Sequence, residues 1–118
     1  MGGAGEIVNV FPTGQAADLA SKIIQAEANC PSHRDGGTTS TKVPVAPLAL
    51  PSVLGSTTVF CEKHATTGKP AAYGCFTALG RGRILISAYG FAPTLETASD
   101  NLRNLLIVAA EIVPSLPT

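Results

Sequence analysis

In the stretch VFCEKHATTGKPAAYGCF, residues 59–76, two cysteines stand seven residues to either side of Gly68. That symmetry constrains the fold more than any other feature of the chain. If residues 65–70 form a hairpin turn, a register centred on Gly68 sets Cys61 opposite Cys75. Residues opposed in a non-hydrogen-bonded antiparallel pair have Cα atoms about 4.5 Å apart, at the short edge of disulfide geometry. A slip of one residue turns the side chains to opposite faces and forbids the bond. A rival pairing joins Cys30 to either strand cysteine and pins the segment between. In a third arrangement all three are buried free thiols.

The rest of the chain reads as mixed α and β structure. Residues 7–11 form a short β-branched run stopped by Pro12, a first strand. Thr13 is a candidate N-cap, and Leu19, Ala20, Ile23, Ile24 and Ala28 then follow at helical spacing. Pro31 restricts the residue before it, so this helix ends near Asn29 and Cys30. Residues 32–56 are first polar and breaker-rich, then carry prolines at 44, 47 and 51 between small apolar residues. We read this segment as an ordered, extended crossover on the body of the domain. Three strands follow at 57–64, 71–79 and 83–90, the last two joined by Gly80, Arg81 and Gly82. Alternation over 83–89 is weak. Pro93 and Thr94 open a final helix in which Leu95, Ala98, Leu102, Leu105, Leu106, Ala109, Ile112 and Val113 share one face. The order β-α-loop-β-β-β-α predicts a single α+β domain over residues 1–118. The expected form is a two-layer sandwich of a mostly antiparallel sheet with both helices on one face.

Composition narrows the function. The 45% apolar content is too high for a disordered chain. Eight basic and eight acidic residues cancel, and no basic cluster exceeds Arg81 and Arg83, so neither nucleic acid nor an anionic membrane is an expected partner. The start, MGGAGEIVNVF, has neither the basic region nor the apolar core of a signal peptide, and its abruptness suggests a domain cut from a longer, processed chain.

Candidate chemistry is sparse. Cys61 and His64 form one C-x-x-H spacing that Cys75 and Cys30 could complete, but zinc sites use paired short spacings, so no metal or other cofactor is expected. Glu62 beside Cys61 disfavours a thiolate, and His64 points to the opposite face of a strand, so no catalytic residue is assigned and the chain reads as non-enzymatic. His33 reads as a solvated loop residue. Tyr73, Tyr89 and Phe91 are candidate walls of a ligand surface between the proline-rich crossover and the sheet. Ile107 and Val108 interrupt the polar side of the last helix. Either the crossover covers them or they dock another domain.

Two segments together carry a family resemblance. One is Val8-Asn9-Val10-Phe11-Pro12-Thr13 ahead of a helix ending at a cysteine. The other runs Tyr73-Gly74-Cys75-Phe76-Thr77-Ala78-Leu79-Gly80-Arg81, then Ile84-Leu85-Ile86-Ser87, then the helix opening Thr94-Leu95-Glu96-Thr97-Ala98. The pattern resembles actinobacterial, especially mycobacterial, exported lipoprotein domains of uncharacterised function. More distantly it is similar to the extracellular sensor domains of mycobacterial serine/threonine kinases, from which the odd third cysteine departs. The resemblance implies an oxidising, extracytoplasmic setting that favours a disulfide, and a parent chain anchored to the membrane by lipid. The expected function is a non-enzymatic binding domain for a small molecule, a lipid or a cell-envelope protein. The alternatives are an assembly module docking through its last helix and, less in keeping with the residues, a cysteine-dependent enzyme.

Overall fold

The computed structural model describes residues 2–11, 14–45, 48–51, 54 and 58–115. Among these the order is β1 (Gly3–Val10), α1 (Ala16–Ala28), β2 (Ser32–Asp35), β3 (Thr38–Val43), β4 (Phe60–Thr66), β5 (Ala72–Arg81), β6 (Ile84–Ala92) and α2 (Leu95–Ile112), closed by a 3-10 turn at Val113–Ser115. The strands form one six-stranded sheet in the order β1-β6-β5-β4-β3-β2, with every neighbouring pair antiparallel. The expected mixed α+β domain with an antiparallel sheet is therefore present. The expected cap at Thr13 and strand start at Thr57 lie outside the described residues.

Two expectations about the layout are corrected. First, part of the segment read as crossover is a hairpin, β2 to β3. Gly36 takes φ 61°, which lets Gly36 and Gly37 make a two-residue turn between Asp35 and Thr38. The polar threonines and serine of β3 hide the strand from a hydrophobicity reading, yet Ser40 is buried. The apolar part beyond it does lie on the body: Val45, Leu48, Leu50, Leu54 and Val59 pack against the core beneath α2.

Second, the helices lie one on each face, so the molecule has three layers. Alternation along β6 sends Ala88, Gly90 and Ala92 to α2, where they meet the fully buried Leu102 and Leu106. It sends Leu85 the other way, against Ala16 and Ala20 of α1. A central strand buried on both faces loses its polar positions, which is the reason for the weak alternation over 83–89. The α2 layer sits close because Gly90 has no side chain. A Cβ there would stand 2.5 Å from the Ala98 carbonyl oxygen and from the Leu102 nitrogen. Thr94 caps α2, its Oγ1 accepting from the Thr97 N–H at 3.3 Å, and α1 is anchored where the Ala16 N–H donates to the Gly82 carbonyl at 3.0 Å.

Cys61 lies directly opposite Cys75 in the β4–β5 ladder, and the two form a disulfide with Cα atoms 4.1 Å apart. Cys30 is the free cysteine, half-buried, with its thiol 3.4 Å from the Ser32 carbonyl oxygen. The crossover is thus held by apolar packing and not by a bond to Cys30. Closing a 15-residue loop stabilises by about 3 kcal/mol in the chain-entropy model. The double variant Cys61→Ala/Cys75→Ala should lose close to that amount in chemical denaturation, with its far-ultraviolet spectrum unchanged.

Candidate functional site

The cross-strand bond fixes which face each neighbouring side chain takes. With Cys61 and Cys75 turned to the α2 layer, Phe60, Glu62 and His64 on β4 and Gly74 and Phe76 on β5 face the other way. The ladder carries the same face to Ser40 and Lys42 on β3, His33 on β2, Tyr89 and Phe91 on β6 and Ile7 on β1. This is the face that α1 shares. With 13 residues, or roughly 20 Å of helix, α1 covers only the end of the sheet around Leu85 and Ala78. The remainder is an open groove of about 470 Å³, walled by Ile23 and Ile24 of α1 and floored by Phe60, Phe76, Tyr89 and Ile7.

Four of the chain's six aromatic residues gather here. Phe60 stacks on Phe76 at 5.3 Å and Tyr89 on Phe91 at 6.2 Å, while His64 meets the Phe76 edge at 6.3 Å. A Cβ at Gly74 would come within 2.8 Å of the Phe76 ring and 2.9 Å of His64 Nε2, so both rings lie over this glycine.

One end of the groove is polar. Glu62, whose side chain is 6% exposed, pairs with Lys42 Nζ at 2.5 Å and lies 3.6 Å from His33 Nδ1. Lys42 Nζ also sits 4.7 Å from the Phe60 ring centroid, in cation–π contact. Ser40 Oγ is 2.7 Å from His64 Nδ1. Ser40 is buried, and its contact with Nδ1 holds the imidazole with Nε2 over Gly74 on the groove side.

The residues expected to form the ligand surface are divided. Tyr73 packs against the α2 core, whereas Tyr89 and Phe91 share the opposite face, 36% and 47% exposed. Cys61 and His64 point to opposite faces, so the C-x-x-H spacing brings no ligand set together. Ile107 and Val108 are exposed, as is Ile112, which helical spacing had placed on the buried side. His33, expected in a solvated loop, stands on β2 beside Glu62. Phe60, Phe76, Glu62 and Lys42 went unrecognised in the sequence. The signal was available: once Cys61 faces Cys75, period two places Phe60, Glu62 and His64 together on the far side. A second hollow of about 430 Å³, between Pro44, Val45 and Leu48 and the first turns of α2, carries no aromatic residue.

Comparisons with family models, with curated proteins and with solved structures find no match to this chain.

A buried carboxylate left without its cation is destabilising, whereas removing both charges together is far less so. Lys42→Met should accordingly lower stability by about 3 kcal/mol in chemical denaturation, and Lys42→Met/Glu62→Leu should regain most of the loss.

Proposed function

We propose that this is a non-enzymatic binding domain acting outside the cytoplasm, and that the groove beside α1 takes a small, flat, mostly apolar molecule carrying one hydrogen-bonding group. The observation that carries this reading is the convergence of Phe60, Phe76, Tyr89 and Phe91 on a sheet face that α1 leaves half covered. Aromatic rings left partly in water retain the free energy that a ligand's apolar surface gains by covering them. The volume falls within the roughly 300–1,000 Å³ of small-molecule clefts. His64 Nε2 supplies a hydrogen-bonding group over Gly74, and the Lys42–Glu62 pair closes the polar end.

An oxidising compartment is supported by the Cys61–Cys75 bond, since such bonds are rare in reduced cytosol. A lipid-anchored parent chain, as in the exported lipoproteins that the sequence resembles, fits the same setting. A second reading, an assembly module docking another domain through its last helix, is favoured by the exposure of Ile107 and Val108 at 39% and 54%. The two readings use opposite faces of the sheet and do not compete.

The chain has no tryptophan, so a naphthylamine dye can be excited without protein background. N-phenyl-1-naphthylamine should bind with a rise in emission. Phe60→Ala and Tyr89→Ala should each weaken it about tenfold, equivalent to 1.4 kcal/mol. Ile107→Lys/Val108→Lys should leave it unchanged. Equal affinity in all four proteins would remove the groove as the binding site.

A further inference from the structure

The two edges of the sheet are built differently. β2 is four residues long and polar, with His33, Arg34 and Asp35 on it, the usual way a free edge is kept from pairing. β1 is eight residues long, and its only charge is Glu6. It exposes apolar side chains on both faces: Ile7 at 59% toward the groove, Val8 and Val10 at 55% and 68% toward the α2 side. The apolar surface extends inward from that edge. On the groove face the Tyr89 and Phe91 rings lie over Gly5 and Gly3, where a Cβ would come within 2.6 Å and 3.3 Å of a ring carbon. On the other face Asn101 donates to the Phe91 carbonyl, which points toward Gly2. The helix flank carrying Asn101 therefore faces the β1 edge, and Val108 and Ile112 lie further along it.

We propose that β1 is the interface of a homodimer, in which the β1 strands of two copies pair antiparallel and join their sheets into one. The Phe11 N–H donates inward to the Arg83 carbonyl. Alternation then turns the N–H and C=O groups of Ala4, Glu6, Val8 and Val10 outward, where no strand among the described residues pairs with them. The occupant and its register follow from the sequence of β1. A dyad at Glu6 sets two carboxylates face to face, which is unfavourable. A dyad at Val8 sets Ala4 opposite a position beyond Val10, where β1 has ended, and so loses a hydrogen-bonded pair at each end. A dyad at Ile7 sets Ala4 against Val10 and Glu6 against Val8 as hydrogen-bonded pairs, with Ile7 against Ile7 as the close pair at the centre.

The level of that dyad agrees with α2. Ile7 pairs with Ser87, which lies between Gly90, under Leu102, and Ile86, beside Val113. Val108 falls at this height, so the two α2 flanks meet where the strands do. At their exposures Ile7, Val8, Val10, Val108 and Ile112 offer on the order of 450 Å² per copy without drawing on the rings of the groove. With the backbone edge added, two copies together clear the about 1,000 Å² expected of a specific interface. The chain has no net charge to oppose self-association. This inference does not depend on the ligand reading, although the groove ends at Ile7 and so opens onto the dyad.

Sedimentation velocity on the full chain at tens of micromolar should give a species of twice the 12.0 kDa chain mass. Val8→Lys should abolish it without altering the circular dichroism spectrum. Because an edge variant can also misfold, a cross-link supplies independent evidence. In a Cys30→Ser background, Ile7→Cys should oxidise to a disulfide-linked dimer about tenfold faster than Glu6→Cys, since only position 7 meets itself within disulfide reach. A monomer at that concentration, a dimer indifferent to Val8→Lys, or equal cross-linking at the two positions would each overturn the proposal.

Discussion

The Cys61–Cys75 bond couples register to face. In a strand ladder the side of the sheet that a residue occupies depends only on parity, and a covalent link between opposed residues fixes parity for both strands. From that pair outward, Ala88, Gly90 and Ala92 are committed to α2, and Phe60, Phe76, Glu62 and His64 to the face of α1. The bond sits where the α2 layer is tightest, with Leu102 and Leu106 fully buried beside it, each contributing roughly 1.5–3 kcal/mol by burial. The chemistry of the groove is thus set on the opposite face from the groove itself.

The two helices cover their faces unequally. α2 has 18 residues and rests its backbone on Gly90, so its layer is close and continuous, and the apolar crossover fills the space beside it. α1 has 13 residues and must also help carry the chain from the β1 edge to the β2 edge, because those two strands lie at opposite ends of the sheet. It packs through the small side chains Ala16 and Ala20 at one end and leaves the aromatic rows uncovered. An uncovered aromatic face is a cost to an isolated domain and a gain once a ligand lies on it.

Legibility in the sequence followed local signals. The Gly68-centred register, the α2 face through Leu102 and Leu106, and the turns at Gly68 and Gly82 could be read because each rests on residues close in the chain. The β2–β3 hairpin was missed because its buried face uses Ser40 and Lys42, which are satisfied by His64 and Glu62 from another strand and look like solvent-facing residues alone. The side taken by α1 was missed because Leu85, its main contact, is one apolar residue among several in β6, and nothing local says which face it serves. The groove shared that fate: its walls come from β1, β4, β5, β6 and α1.

The pairing of β1 with β6 joins Gly3 to Phe91, and so spans most of the chain, whereas β2 with β3, β4 with β5 and β5 with β6 are joined by short turns. Contacts that close long loops come late, after local hairpins have formed, because the loop entropy must be lost before they stabilise anything. The central strands can therefore assemble on α2 and the disulfide alone, with β1 as the last strand to dock and the first to detach. In a chain not yet joined to a second copy, amide protection should fall toward the β1 edge, in a gradient set by topology as much as by burial, and pairing of two β1 strands would reverse it.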